Sequence, residues 1–200
     1  MRLIQNQCEK KSHYWINATD SGGTNADSDG LENQQITVTP FNQHIVAGLS
    51  QGSSLIPNSQ FSRNGAKVRL TGLYIHGYLK MPAITDPTED DRVGVIVRMI
   101  IYIKKQGVES MSPGVVGSVD LNMYTILYDK KFVLHSNGPG VRLITIKKKW
   151  KNGLVVEWTP ATTGGSGTIT KNDMIFTAFA DTTSQGPFFT AQSRLWFTDM

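Results

Sequence analysis

Between residues 92 and 104 every second position is apolar: Val93, Val95, Val97, Met99, Ile101 and Ile103 alternate with a set that includes Arg92, Arg98, Tyr102 and Lys104. Side chains alternate across a strand, so this period of two predicts a β-strand with one face toward a core and a mixed face toward solvent or a partner. A helix would scatter both sets around its axis. The segment at 67–80 reads the same way through Leu70, Leu73, Tyr74, Ile75, Tyr78 and Leu79, with Gly72 and Gly77 as candidate bulge or close-approach points.

Further strand-length runs of Val, Ile, Leu, Tyr and Phe fall at 123–128, 131–135, 141–150, 153–158, 173–180 and 190–198, separated by Gly, Pro, Asp and Asn clusters. That gives eight segments after residue 66. No sustained 3.6-residue period appears, although 107–122 has room for a short helix. Strands without intervening helices predict an antiparallel double sheet, and eight of them with long loops predict an all-β, eight-stranded antiparallel jelly roll of two packed four-stranded sheets. Residues 1–66 are rich in Asn, Gln, Ser, Thr and Gly, with short apolar pieces at Tyr14-Trp15-Ile16 and Gln35 to Thr39. They read as an irregular N-terminal arm with short strands, preceding the main unit at 67–200. The whole is one structural domain, as its 200 residues allow.

Composition narrows the function classes. A single cysteine, Cys8, makes no internal disulfide, which excludes a secreted disulfide scaffold. The longest apolar stretches are broken by Gly94 and Arg98, so no membrane insertion is expected. The opening Met1-Arg2-Leu3-Ile4-Gln5-Asn6 turns polar too quickly for a signal-peptide core. His13, His44, His76 and His135 are scattered without metal-ligand spacing, so no metal and no cofactor is expected. Gly164-Gly165-Ser166-Gly167 has neither a phosphate-loop ending nor a nucleophile-elbow context and reads as a loop. A calcium-like run beginning at Asn25 has Ile36 where a bidentate Glu is required. Glu89-Asp90-Asp91 reads as a solvated loop, and Asn17-Ala18-Thr19 as an incidental glycosylation match. With no acid/base, metal or nucleophile constellation, an enzyme is not expected.

The chain carries 20 basic and 16 acidic residues, and the excess is concentrated. From 130 to 156 there are seven basic residues, Lys130, Lys131, Arg142, Lys147, Lys148, Lys149 and Lys151, and no acidic one. In an extended segment Lys147, Lys149 and Lys151 share a face opposite Ile144, Ile146 and Trp150, at ~6.6 Å spacing. Two readings stand side by side. One is a row of phosphate contacts giving sequence-independent, salt-sensitive nucleic-acid binding. The other is a solvated edge strand whose lysines block unwanted pairing. Tyr124, Tyr128, Phe132, Trp150 and Trp158 are interleaved with this region, as base-stacking platforms or as core and subunit contacts.

The order of motifs resembles a known family. Lys67-Val68-Arg69-Leu70-Thr71-Gly72-Leu73-Tyr74-Ile75 and the strand at 92–103 resemble the first two strands of capsid proteins from circular, Rep-encoding single-stranded DNA viruses, the circovirus-like group. Tyr124 to Phe132 is similar to their "apolar strand, Asp-Lys, aromatic" piece, followed by Ile146-Lys147-Lys148-Lys149-Trp150. The ending Arg194-Leu195-Trp196-Phe197-Thr198-Asp199 resembles their final strand. The resemblance spans about 67–199. It implies a viral capsid protein that self-assembles into a small icosahedral shell, a homo-oligomer of about sixty copies, around non-specifically packaged single-stranded DNA. It also implies a virion location, assembly in the host nucleus and an unidentified host receptor. Such proteins begin with an Arg/Lys-rich arm, whereas residues 1–30 here carry Arg2, Lys10 and Lys11 against Glu9, Asp20, Asp27 and Asp29. A jelly-roll carbohydrate-binding module or lectin is the second reading.

Overall fold

The computed structural model describes residues 10–15, 31–39, 41–47, 49, 63, 65–81, 94–105, 109–135, 140–159, 169–183 and 186–200. Cys8, Asn17, most of the calcium-like run from Asn25, the Glu89-Asp90-Asp91 loop and Gly164-Gly165-Ser166-Gly167 lie outside them. The described residues form ten strands and no helix: β1 (Lys10–Trp15), β2 (Leu31–Gln35), β3 (Phe41–His44), β4 (Lys67–Lys80), β5 (Val95–Lys104), β6 (Tyr124–Leu134), β7 (Val141–Trp158), β8 (Ile169–Lys171), β9 (Met174–Ala180) and β10 (Phe188–Asp199).

Eight of these pair as one long hairpin folded back on itself: β1 with β10, β3 with β9, β4 with β7, and β5 with β6 at the tip, all antiparallel. The hairpin is rolled so that alternate pairs join different sheets. One sheet runs β1-β10-β4-β7-β8 and the other β3-β9-β5-β6. This is the jelly roll. The two remaining strands are additions at the margins: β2 shares the free edge of β10 with β1, and β8 extends the β7 edge.

The strand count is distributed differently from the sequence reading. The eight segments expected after residue 66 merge into six strands and the short β8, because 123–128 joins 131–135 as β6 and 141–150 joins 153–158 as β7. Jelly-roll strands one and two come instead from β1 and β3, inside the first 66 residues. Phe41-Asn42-Gln43-His44 has no alternating apolar pattern, so only its partner β9 reveals it as a strand.

The core lies where the two sheets face each other. From β4 come Val68, Leu70, Leu73, Ile75 and Leu79; from β5, Val95, Val97, Met99, Ile101 and Ile103; from β9 and β10, Phe176, Ala178, Phe189, Leu195 and Phe197, all buried. Phe176 and Phe189 stack across the interface with centroids 5.5 Å apart. At ~1.5–3 kcal/mol per buried large apolar side chain, this layer is the main stabilising term.

The mixed face of β5 is not open to solvent. Residues 109–119 fold over it and bury a second cluster of Ile100, Tyr102, Met111, Val115, Ile175 and Phe179. Arg98 fastens this cover. Its guanidinium makes a two-pronged ion pair with Asp129 (Nε–Oδ1 2.9 Å, Nη2–Oδ2 2.7 Å) and donates through Nη1 to the carbonyls of Gly117 (2.6 Å) and Gly114 (3.3 Å). The region with room for a short helix holds turns at 114–116 and 121–123 instead.

Candidate nucleic-acid interface

The face of the larger sheet turned away from the core carries the main concentration of charge and aromatic surface. On β7, Ile144 and Ile146 are buried while Thr145, Lys147 and Lys149 stand exposed, as alternation requires. On β10, Phe189, Ala191, Ser193 and Leu195 face inward, leaving Gln192, Arg194 and Trp196 outside. Between these strands β4 presents Gly72, Tyr74 and His76.

Register turns these into a lattice three strands wide and three rows long. Lys149, Gly72 and Trp196 form one row; Lys147, Tyr74 and Arg194 the next; Thr145, His76 and Gln192 the third. With strands ~4.8 Å apart and same-face residues ~6.6 Å apart, the patch measures roughly 10 by 13 Å. A groove of about 770 Å³ runs over it, also bordered by Thr71, Leu73, Lys148 and Ser193, with no carboxylate in its lining.

Cations and rings are coupled across the rows. Lys147 Nζ lies 5.3 Å from the Tyr74 ring centroid, and Arg194 Cζ lies 5.5 Å from that of Trp196. Tyr74 and His76 are parallel with centroids 6.1 Å apart. His76 Nδ1 is 3.0 Å from Thr145 Oγ1, and Arg194 Nη2 donates to Ser12 Oγ on β1 at 3.1 Å. Gly72 shapes the floor: a Cβ there would come within 3.1 Å of Trp196 Cε3, so its absence lets the indole lie close against β4. No carboxylate pairs with Lys147, Lys149 or Lys151 among the described residues.

The seven basic residues expected to act together are therefore split. Lys147, Lys148 and Lys149 border the groove. Lys151 is exposed in a bulge where four residues of β7, 150–153, face Thr71 alone, and Arg142 is exposed at the start of the same strand. Lys130 and Lys131 sit on β6, the edge of the other sheet, where Lys130 Nζ lies 5.5 Å from the Phe132 ring. The interleaved aromatics are occupied elsewhere. Trp158 is buried under Arg63 (4.5 Å), Phe132 is buried, Tyr124 meets Tyr102 edge-on at 5.4 Å, and Tyr128 and Trp150 pack against the main core.

The rings on the groove, Tyr74 and Trp196, with His76 and Arg194, were not singled out from sequence. Their i, i+2 spacing placed each pair on one strand face, but the adjacency of β4, β7 and β10 was needed to unite them. Elsewhere, His44 Nδ1 lies 2.9 and 3.0 Å from the Asp173 oxygens, and Lys104 Nζ lies 3.5 Å from Oδ2, an ion-pair cluster tying β3 to β9 and β5. Among the described residues no three His, Cys, Asp or Glu side chains are grouped to hold a metal.

No family model and no curated protein matches the chain. Among solved structures it is similar to a chain of the cryo-EM structure of Broad Bean Stain Virus, with 9% identity and a TM-score of 0.38, covering 94% of this chain and 84% of that one. A weaker likeness, to the structure of infectious bursal disease virus Gx strain, has 12% identity and a TM-score of 0.17 over 95% of this chain and 42% of that one. The jelly roll rests on the strand order itself.

Proposed function

We propose that this chain is a viral capsid protein, which assembles with identical copies into a small icosahedral shell around single-stranded DNA. The observation that carries the reading is the basic groove on the outer face of the β10-β4-β7 sheet, carboxylate-free in its lining and set on a jelly roll. On this reading the face offsets genome phosphates, and the protein has structural rather than catalytic work to do. The shell holds about sixty copies, the smallest closed icosahedral number for one chain per asymmetric position. The virion is its location and the host nucleus its place of assembly.

Self-association is supported by apolar residues left uncovered on the isolated chain. Leu143 and Val141 at the start of β7, Val133 on the edge strand β6, and Leu121 and Val116 beside it are 70%, 47%, 50%, 69% and 84% exposed. Large aliphatic side chains in such positions gain by burial against a neighbour. Charged residues make up only 18% of the chain, against ~25% for an ordinary soluble domain, in keeping with surface that is covered in the assembly.

Electron microscopy and size-exclusion chromatography of the purified protein, with and without single-stranded DNA, test the reading. Closed particles retaining nucleic acid are the expected result. A protein that stays monomeric at high concentration in both conditions overturns it. A carbohydrate-binding module is the second reading, favoured by the half-buried ring of Trp196 bordering a groove, and a glycan array separates the two.

A further inference from the structure

The groove is more specific than a row of positive charges. Lysines alone would follow any polyanion, single- or double-stranded, because phosphates are all they meet. Here the cations flank two rings: Lys147 and Arg194 bracket Tyr74 within one row, and Trp196 faces Lys149 across Gly72 in the next. The missing side chain at Gly72 lets the Trp196 indole lie against β4, and Trp196 and Tyr74 border a cavity of about 770 Å³, room for a base and its sugar.

We propose that this groove seats an unpaired base of single-stranded DNA, stacked on Trp196 or Tyr74, with the adjoining phosphates on Lys147, Lys149 and Arg194. The proposal rests on the nucleic-acid reading of this face and deepens it: the ligand is a strand whose bases are free, and duplex is discriminated against. A duplex holds its base faces inside its own stack and can offer this groove only its backbone, so it forfeits the ring contacts. A neutral sugar uses the rings but brings no negative charge to Lys147 and Lys149, and the lining has no carboxylate to accept its hydroxyls. Every base has a π-face, so binding is indifferent to sequence.

The test is fluorescence anisotropy of the purified protein with labelled oligothymidylate and with a duplex of equal charge, across a salt series. Wild-type protein is expected to hold the single strand at least about fivefold more tightly, since one stacked base contributes ~1–3 kcal/mol. Trp196→Leu and Tyr74→Leu are each expected to weaken single-strand binding by about five- to a hundredfold while leaving duplex binding unchanged. Undiminished oligothymidylate affinity in the double variant, with wild-type circular dichroism and melting, overturns the proposal.

Should the variants fail to fold, wild-type protein is photocrosslinked to 5-iododeoxyuridine-substituted oligothymidylate and the peptides are mapped. Crosslinks at Tyr74 or Trp196 support the groove; crosslinks confined to other parts of the chain overturn it. Binding of a neutral glycan that is lost in Trp196→Leu, without oligothymidylate binding by the wild type, also overturns it. The outcome is separable from the shell reading. Particles that form normally from a Trp196→Leu chain deficient in oligothymidylate binding leave the shell standing, and a wild-type monomer that binds through the groove leaves the groove standing without the shell.

Discussion

Arg98 illustrates how much a single side chain can settle. It lies on the mixed face of β5, the position that alternation assigns to solvent or a partner, yet it is 6% exposed because residues 109–119 cover it. The pairing with Asp129 was not legible, since the two residues meet only through the β5–β6 register. Hydrogen bonding to Asp129 raises the guanidinium pKa further above its ordinary value, so the charge is permanent. Arg98→Ala strands the carbonyls of Gly114 and Gly117 and leaves Asp129 without its counter-ion. A loss of about 2–3 kcal/mol is expected in urea unfolding, Asp129 being partly solvated, with new protease cleavage within 109–120. Unchanged cleavage would mean that apolar contacts alone hold the cover.

Beneath the same cover, burial pushes the Tyr102 phenol above its ordinary pKa of 10.0, the amide of Met111 donating to its oxygen at 3.0 Å. Tyr128 is shifted the same way by burial. Below pH 10 both folded and unfolded chains keep these protons. Above it the unfolded chain releases protons that the folded chain retains, so stability falls as pH rises. Tyr102→Phe is expected to flatten that alkaline decline while costing about 1 kcal/mol near neutrality for the lost hydrogen bond, both read from melting curves over a pH series.

At the level of elements, β7 is where sequence and structure part most instructively. The sequence reading divides it into two segments, 141–150 and 153–158, and the Asn152-Gly153 dipeptide between Lys151 and Leu154 suits a hairpin turn. The chain continues instead, because β4 runs unbroken beside both halves: Leu70 pairs with Leu154 and Gly72 with Lys149. The turn chemistry is spent on a bulge, with Gly153 at φ +70°. Gly153→Ala combines that strained φ with a Cβ only 2.2 Å from Arg69 Cγ, and a loss of about 1–3 kcal/mol is expected by denaturation. The lysine alternation was legible, since Lys147 and Lys149 are exposed opposite Ile144 and Ile146. Replacing Lys147, Lys149 and Lys151 together with Ala is expected to lower the slope of log K against log salt for single-stranded DNA by up to ~2, at ~0.7 per phosphate contact. A smaller change of ~1.4 would mean that the bulge holds Lys151 away from the strand.

For the whole molecule, the jelly roll was legible from strands without helices, and its sheets contain the long strand read at 67–80 and, from Val95 on, the one read at 92–104. What could not be read was membership. Short polar segments become strands only because a long neighbour offers an unpaired edge, as β9 does for Phe41–His44 and β10 does for β1 and β2. The groove was illegible for the same reason: its residues come from positions 71–76, 147–149 and 192–196, which nothing in local pattern brings together.

Because β1 lies against β10, Lys10 opposite Thr198, the fold is zipped shut by two stretches far apart in the sequence. A nascent chain emerging from the ribosome can form the β5–β6 tip early, but its outermost pair must wait until β10 has been made. Closing a loop of that length is entropically slow, and until it happens β10 offers the bare edge from Ser193 to Thr198 to any other chain. Monomers caught in that interval are the ones most prone to exchange strands or aggregate, so refolding yield should fall steeply with protein concentration.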